Sequence, residues 1–268
     1  MYPILIKIGA FTVHTYGFLL AVGVLLAILL SLKLGKKEGI DTRLLSDFIF
    51  YTILIGLVGA KVFLLVTELE HYLRHPGEIF SLLTSAGTFY GGLIFGGLFV
   101  VWYSRKHKLN LTKIADVMAP SVALGHFFGR MGCFSAGCCW GRAAGDSSFC
   151  VIFTSPETTT GVPHNIPLYP TQLAESILNL INFIVLLVLT KKKKFQGQVL
   201  AVYIFNYSLI RFCVEYFRGD HDRGYLFGGM NQPFSSISIP QLISIIGVIV
   251  ATFIYIKAGK KKKAGNSE

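Results

Sequence analysis

Residues 16–37 have the sequence YGFLLAVGVLLAILLSLKLGKK, in which the apolar run Tyr16–Leu32 is followed directly by a cluster of lysines. A helical apolar segment near this length can span the ~30 Å hydrocarbon core of a bilayer. Comparable segments recur along the chain and predict seven membrane-spanning helices. Their expected bounds are Tyr16–Leu32, Phe48–Thr67, Thr88–Tyr103, Ile114–Phe134, Pro170–Thr190, Gly197–Phe217 and Pro240–Ile256. The third segment is short and rich in glycine, so we expect it to be partly re-entrant or loop-like.

The composition of the chain also favours a membrane protein. Of its 268 residues, 53% are hydrophobic and 15% are charged, and the mean hydropathy is +0.59. Soluble domains carry about 25% charged residues. The net charge of +11 does not indicate a nucleic-acid partner, because the lysines cluster between apolar segments and form no basic face with interleaved aromatic residues. We therefore predict an all-α integral membrane protein with a single membrane domain over residues 1–268.

The distribution of basic residues predicts an orientation. Most of the 25 lysine and arginine residues fall in one alternating set of connections. These are Lys33, Lys36, Lys37 and Arg43, then Arg105, Lys106, Lys108 and Lys113, then Lys191–Lys194, and finally Lys257 and Lys260–Lys263. The opposite set holds Lys7, Arg74, Arg142, Arg218 and Arg223. Because basic loops stay in the cytoplasm, we expect the amino terminus outside, the carboxyl terminus in the cytoplasm, and a small external head over residues 135–169.

Two arginines lie inside predicted spans, Arg130 at the end of the run VALGHFFGRMGCF and Arg211 in the sixth span. A central arginine costs ~2.5–3.5 kcal/mol on the insertion scale, so it normally faces protein or water. Helical spacing predicts one shared face for Tyr207, Arg211, Glu215 and Arg218, with Glu215 holding both neighbouring guanidinium groups. Guanidinium is the preferred fork for phosphate, and a lipid head group is the phosphate expected at this depth. An ion-pair network that only fixes helix packing is the alternative.

Three shorter polar motifs accompany these arginines. They are His14-Thr15-Tyr16-Gly17 at the first span, Tyr90-Gly91-Gly92 in the third span, and Gln172 with Glu175 in the fifth. The glycines of the third span would let a loop approach a ligand, but Gly92 and Gly96 equally fit helix packing through small residues. Taken alone, His14 and Tyr16 fit an interfacial aromatic pair.

Together these motifs resemble those of the bacterial prolipoprotein diacylglyceryl transferase family, in order and over nearly the whole chain. The central match is Gly129-Arg130-Met131-Gly132 with Phe134, Gly137 and Gly141, which is similar to the signature Gly-Arg-x-Gly-Asn-Phe, then Asn, Glu and Gly. The other matches are His14–Gly17, Tyr169–Leu173 with Glu175, Tyr207 to Asp220, and Gln241–Ser244.

The chain departs from the family pattern at four positions. Family members usually have His-Gly-Gly where this chain has Tyr90-Gly91-Gly92, and that histidine is a catalytic candidate. The two asparagines of the signature fall on Cys133 and Ala136, and its glutamate falls on Cys138. The resemblance therefore implies a divergent branch that keeps the signature arginine.

The resemblance implies an enzyme that moves the diacylglyceryl group of phosphatidylglycerol to the lipobox cysteine of exported preproteins and releases glycerol phosphate. It implies a multi-pass protein of the bacterial cytoplasmic (inner) membrane, among membrane lipids, with the active site toward the outer leaflet and without cofactor or metal. The expected catalytic residues are Arg130, Arg211, Tyr90, His14 and Tyr207. The expected ligands of the phospholipid head group are Arg130, Arg211, Arg218, Tyr16, Gly91, Gly92, Glu215 and Gln172. The arginines would stabilise the departing phosphate, and a tyrosine or histidine would help to deprotonate the thiol.

Two other functions stay open. Inward-facing charges suit a transporter or flippase for an anionic lipid, although the sequence shows no inverted repeat. Cys133, Cys138, Cys139 and Cys150 suit a membrane thiol–disulfide oxidoreductase or a structural disulfide, although no Cys-x-x-Cys pair is present. With His126 the same cysteines fit no common zinc spacing. We expect none of them to be the acceptor or a redox centre, because the attacking thiol arrives with the preprotein.

Overall fold

The computed structural model describes residues 2–9, 11–80, 82, 87–155, 158, 160–220, 224–228 and 236–265. Arg223, which the sequence predicts in a connection between spans, lies outside the described residues. The helices are α1 (Thr15–Lys37), α2 (Thr42–Thr67), α3 (Leu69–Arg74), α4 (Phe89–Lys106), α5 (Leu111–Ala136), α6 (Thr171–Lys192), α7 (Gln198–Glu215) and α8 (Ile239–Gly265). A 3-10 helix, Pro76–Phe80, follows α3. The antiparallel strand pairs are β1 (Ile4–Ile8) with β2 (Phe11–His14), β3 (Val151–Ile152) with β4 (Pro167–Leu168), and β5 (Tyr225–Phe227) with β6 (Ile237–Ser238).

Each of the long helices, α1, α2 and α4 to α8, overlaps one predicted span. The chain is mostly helical, and the short strand pairs add to the predicted class without replacing it. The expectation of a partly loop-like third span is wrong, because α4 runs without a break from Phe89 to Lys106. Its start is capped by the Thr88 hydroxyl, which accepts a hydrogen bond from the Gly91 amide at 3.3 Å.

Among the residues that the structure describes, four helices are long and apolar enough to cross a membrane: α1, α2, α6, and α8 over Ile239–Lys260. At most 28% of the apolar 18-residue window of each is buried. Large side chains such as Leu25, Leu57 and Ile249 are exposed instead. Extensive exposed apolar surface of this kind is rare on soluble monomers and typical of a protein surrounded by lipid. The other long helices carry more glycine or more polar residues.

The chain forms two compact units, which we name the α2–α4 unit (Leu32–Ile114) and the α5–α8 unit (Met1–Ser31 with Ala115–Glu268). In the α2–α4 unit, small residues set the distance between α2 and α4. A Cβ added at Gly91 would lie 2.4 Å from the Cβ of Phe63 and 2.6 Å from the carbonyl oxygen of Gly59. One added at Gly59 would lie 2.3 Å from the Cβ of Phe95. The close approach of the two helices therefore depends on these glycines.

In the α5–α8 unit, α6 buries a polar face. Its buried residues are Thr171, Gln172, Glu175, Ser176, Asn179, Asn182 and Leu186. Single residues or adjacent pairs recur every three or four positions in this set and so form one stripe, whereas Ile177, Ile181 and Ile184 on the other side are exposed. A helix that buries polar and exposes apolar residues is the reverse of a soluble surface helix. The amide of Asn206 on α7 donates to Oδ1 of Asn182 at 2.9 Å, which ties α7 to this stripe.

The start of α7 is fixed by a buried aspartate on α5. Oδ2 of Asp116 accepts a hydrogen bond from the amide of Gly197 at 2.7 Å, and Oδ1 accepts one from the amide of Leu200 at 2.9 Å. The ammonium group of Lys193 lies 3.8 Å from the same carboxylate. A carboxylate at a helix amino terminus satisfies free amides and favours the helix dipole. This cap therefore anchors the helix that carries Arg211.

The segment between α5 and α6 has a small core of its own. Phe153, Val162 and Leu168 are buried there, and Phe134 and Trp140 pack against them. Gly141 forms an antiparallel bridge with Arg218, so this segment is joined to the chain just after α7. The predicted head is thus a folded segment, and its external location stays a prediction.

Candidate functional site

Glu175 is the centre of a buried charge cluster to which three helices contribute. Its Oε1 lies 3.0 Å from Nη2 of Arg130 on α5, and its Oε2 lies 3.7 Å from Nη1 of Arg211 on α7. Nη2 of Arg211 also lies 2.8 Å from Oε2 of Glu215, one turn further along α7. We call these four residues the arginine–glutamate cluster. The two arginines that the sequence predicts to act together therefore meet on one carboxylate.

The cluster exposes its donors more than its acceptors. The side chains of Glu175 and Glu215 are 2% exposed, whereas those of Arg130 and Arg211 are 21% and 14% exposed. Buried charges are tolerated when they are paired, and here each guanidinium has a carboxylate partner. Each guanidinium carries five N–H donors in a fixed fork, and a single carboxylate cannot occupy all of them. The accessible side of the cluster can therefore bind an anion such as a phosphate.

Aromatic side chains lie one turn before each arginine. The rings of His126 on α5 and Tyr207 on α7 stack with centroids 4.8 Å apart. The hydroxyl of Tyr203 lies 3.3 Å from Nδ1 of His126. Tyr207, a predicted participant in proton transfer, thus contacts a histidine that sequence reasoning places near Arg130 without assigning it a role.

Arg218 is organised differently from the other two arginines. The helix α7 ends at Glu215, so the predicted helical face shared with Arg218 is wrong. Nε of Arg218 donates to Oδ1 of Asp220 at 2.9 Å, and Nη2 contacts Oδ2 of the same carboxylate. Burial lowers the pKa of Arg218, but the hydrogen bond and charge of Asp220 raise the pKa by more, so its net value lies above the ordinary one. The guanidinium therefore stays charged.

A loop after α5 is held against the start of α6. Nε2 of Gln172 donates to the carbonyl oxygen of Cys138 at 2.9 Å, and the hydroxyl of Thr171 donates to the carbonyl oxygen of Cys139 at 3.1 Å. Gln172, a predicted ligand of the head group, thus anchors this loop. Its buried Oε1 has no hydrogen-bond partner within the part of the chain that the structure describes.

Glycines of the signature make room for neighbouring residues. A Cβ added at Gly132 would lie 3.0 Å from Cδ2 of Tyr16, so the Tyr16 ring lies against the turn of α5 that follows Arg130. A Cβ added at Gly141 would lie 2.2 Å from the carbonyl oxygen of Tyr169. Two matched motifs, at Tyr16 and at Gly132, are therefore in contact in the fold.

The remaining predicted residues lie in other surroundings. His14 is exposed at the end of β2, where its backbone pairs with Ile4. In the α2–α4 unit the side chain of Tyr90 is 53% exposed, and Gly91 and Gly92 pack against α2. Packing explains these two glycines, and the roles of all four residues in binding or catalysis stay predictions.

Sequence reasoning does not assign a role to Glu175, although this residue joins the two arginines. A signal was present. Glu175 is an acidic residue in a predicted span, and it shares a helical face with Thr171, Asn179 and Asn182. A polar stripe in an apolar helix must face protein, and an acidic residue in it needs a cation from another helix.

Comparisons with known proteins agree with the motifs. The sequence matches the family described as prolipoprotein diacylglyceryl transferase over residues 3–257. A relative from Clostridium perfringens, named phosphatidylglycerol–prolipoprotein diacylglyceryl transferase 2, is 33% identical over 249 residues, which cover 93% of this chain and 92% of the relative. Proteins named phosphatidylglycerol–prolipoprotein diacylglyceryl transferase from Clostridium tetani and Streptococcus pyogenes serotype M5 are 32% and 28% identical, over 95% and 97% of this chain and 97% and 96% of their own lengths. Since the match extends over nearly the whole chain, this protein belongs to the prolipoprotein diacylglyceryl transferase family.

Proposed function

We propose that this chain transfers the diacylglyceryl group of phosphatidylglycerol to the lipobox cysteine of exported preproteins, at the outer leaflet of the bacterial cytoplasmic membrane. The observation that carries the proposal is the meeting of Arg130 and Arg211 on Glu175, with both guanidinium groups more accessible than the carboxylate. Membership of the family and the names of the relatives support this reaction over a lipid transporter or an oxidoreductase.

In this reaction the cysteine sulfur attacks the carbon of the diacylglyceryl group that is bonded to a phosphate oxygen. The sulfur–carbon bond forms as the carbon–oxygen bond breaks, and the electron pair of the broken bond leaves with the phosphate oxygen. The products are a thioether and glycerol phosphate, and the thiol proton passes to a base. No bond to phosphorus changes, so the protein must position the carbon and stabilise the leaving phosphate.

The arginine–glutamate cluster supplies that stabilisation. Arg130 and Arg211 would donate to the phosphate oxygens, while Glu175 and Glu215 hold the two forks in place. Preorganised donors in a site with little water are worth more than the same donors in water. Arg218, held by Asp220, would bind the head group at its other side.

Three residues remain candidates for the proton acceptor. They are His14, Tyr90 and Tyr207. Tyr207 has the strongest support, because it lies one turn before Arg211 and stacks on His126. Tyr16 and Gln172 complete the proposed head-group site of the α5–α8 unit. Gly91 and Gly92, which belong to the α2–α4 unit, stay predicted ligands of the head group.

The proposed function includes a topology. We infer a single membrane domain with seven spans, an external amino terminus and head, and a cytoplasmic carboxyl terminus. The supporting facts are the overlap of the long helices with the predicted spans and the alternation of basic loops. Reporter fusions after Lys194 and at the carboxyl terminus should be cytoplasmic, and a reporter at Ser147 should be external. An external reporter at Lys194 would refute this topology.

The direct test incubates purified protein with phosphatidylglycerol vesicles and a synthetic lipobox peptide. Mass spectrometry should find one diacylglyceryl group per peptide, with an equal amount of glycerol phosphate released. A control peptide with serine in place of the cysteine should remain unmodified. Movement of phosphatidylglycerol between leaflets without a peptide adduct would favour the transporter, and thiol oxidation without an adduct would favour the oxidoreductase.

A further inference from the structure

We propose that Cys133, Cys138 and Cys139 form a binding site for a thiophilic metal ion, Zn²⁺ or Cu⁺. Their sulfur atoms all lie within 4.8 Å of one another. Zn–S bonds of about 2.3 Å in tetrahedral geometry place two ligating sulfurs about 3.8 Å apart. The thiols therefore need to converge by no more than about 1 Å, a distance that side-chain rotation can supply. This site goes beyond the proposed transferase reaction, which needs no metal.

The fold brings together cysteines whose spacing in sequence predicts no metal site. Cys133 lies in the last turn of α5, and Gly137 then adopts a φ of +77°. The amide of Cys138 donates back to the carbonyl oxygen of Cys133 at 3.1 Å. Cys139 has a φ of +61°, a left-handed conformation that is uncommon for a residue with a side chain. This turn points the loop thiols back toward the helix.

Residues of α6 hold the loop in this conformation through its backbone. The side chains of Gln172 and Thr171 donate to the carbonyl oxygens of Cys138 and Cys139, at 2.9 Å and 3.1 Å. These two hydrogen bonds do not use the sulfur atoms, and in the part of the chain that the structure describes none of the three cysteines forms a disulfide. One thiol of this group makes a weak hydrogen bond, from Sγ of Cys138 to the carbonyl oxygen of Cys133 at 3.7 Å. A site whose ligands converge before the ion arrives loses less conformational freedom on binding.

The chemistry and charge of the surroundings favour a soft cation. Thiolates select Zn²⁺ and Cu⁺, whereas Mg²⁺ and Ca²⁺ prefer oxygen ligands. Three thiolates would leave a net charge of −1 around Zn²⁺ and −2 around Cu⁺. The positive charges of Arg218 and Arg130 act on Cys139 and would offset part of that excess, although each arginine also has a carboxylate partner. The three cysteines are only partly buried, so an ion can reach them.

A bound ion would join the end of α5 to the loop that α6 holds. Cys133 lies one turn after Arg130, so the ion would restrain the helical turn next to the arginine–glutamate cluster. An ion that binds only the folded protein stabilises it by mass action, so the midpoint of thermal unfolding should rise with metal concentration.

The test uses full-length protein purified with a non-thiol reductant and without metal. Zn²⁺ and, under anaerobic conditions, Cu⁺ are added separately, and bound metal is measured by mass spectrometry after unbound metal is removed. We expect one ion per chain for at least one of the two metals, with a higher unfolding midpoint. Loss of one supporting residue around a metal weakens binding by about 10–100-fold, so loss of a ligand in Cys133→Ser, Cys138→Ser or Cys139→Ser should weaken it by at least as much. The matched control is Cys213→Ser, at a thiol outside the cluster, and it should bind like the wild type.

Two results would overturn the proposal. One is a reduced wild-type protein that binds neither ion, or that binds no more than the variant lacking all three cysteines. The other is a disulfide between any two of the three, mapped in protein isolated from membranes without reductant, because the site would then be redox-active. Neither measurement uses the transferase assay, so failure of the metal site is distinguishable from failure of the proposed function.

Discussion

Helices α6 and α4 each pack against a neighbour, but with opposite chemistry. The packed face of α6 carries glutamate, glutamine and asparagine, and its carboxylate at Glu175 meets two arginines. On α4 the packed residues include Gly91 and Gly92, which let α2 approach closely. The polar groups of a buried stripe need partners on neighbouring helices. Here two of those partners are arginines, whose guanidinium groups can also bind an anion. The glycine seam, formed by Gly59 with Gly91 and Gly92, provides close contact without charged or polar side chains. Substitutions in the α6 stripe and at Gly59 should therefore have different consequences.

The largest effect is expected at the centre of the α6 stripe. Glu175→Gln removes the carboxylate shared by Arg130 and Arg211 while nearly preserving its shape. Breaking one side of a buried ion pair typically costs about 3–5 kcal/mol. We expect a clearly lower unfolding midpoint and a loss of turnover of at least ~10²-fold, because the arginines lose the group that orients them.

A surface ion pair provides the matched control for this substitution. Glu70 contacts Arg74 on α3, and both side chains are largely exposed. Exposed pairs contribute little, so Glu70→Gln should leave stability and turnover nearly unchanged. If Glu175→Gln behaves like Glu70→Gln, the stripe is not the functional centre of the α5–α8 unit.

Gly59, which has no predicted role in binding or catalysis, should respond in stability alone. In Gly59→Ala the new Cβ would lie 2.3 Å from the Cβ of Phe95, so the two helices must separate slightly. Overpacking of this kind costs about 1–3 kcal/mol. Turnover per folded molecule should stay unchanged. It is obtained by dividing the measured rate by the folded fraction, which a thermal unfolding curve gives.

The matched control for Gly59→Ala is Gly97→Ala on α4, where an added Cβ meets no atom of the described residues within 4 Å. Alanine has a higher helix propensity than glycine, so this change should be neutral or stabilise by up to ~1 kcal/mol. Equal destabilisation by both substitutions would show that close helix packing is not what Gly59 provides.

The contrast between these helices also shows what can be predicted from sequence. Apolar length and helical spacing predict the long helices and the pair Arg211–Glu215, because both depend on neighbours along one helix. The contact of Arg130 with Glu175 joins two helices, and local periodicity carries no information about which faces meet. The end of α7 before Arg218 also escapes prediction, since Arg218 bridges with Gly141 from the distant head segment. Likewise, the convergence of Cys138 with Cys133 depends on turn geometry at Gly137 that spacing alone does not reveal.

A smaller effect on catalysis is expected in the loop that α6 anchors. The side chains of Gln172 and Thr171 hold this loop by its carbonyl groups and not by the sulfur atoms. Cys139→Ser keeps those carbonyl groups, so turnover should fall by much less than the ~10²–10³ expected for loss of a charge-stabilising donor. The assay is peptide lipidation at matched protein levels. Complete loss of turnover in a normally folded Cys139→Ser variant would assign this thiol to the reaction.

The central claim is that Arg130 and Arg211 bind and stabilise the departing phosphate, and the most direct test measures two quantities on the same purified variants. Turnover with phosphatidylglycerol and a lipobox peptide is compared with the unfolding midpoint for Arg130→Lys, Arg211→Lys and the exposed control Arg105→Lys. Lysine keeps a cation for Glu175 but lacks the two-pronged fork. We predict that turnover of the first two variants falls by at least about 10²–10³-fold while their midpoints stay near that of Arg105→Lys. Near-normal turnover by folded Arg130→Lys and Arg211→Lys would contradict the account.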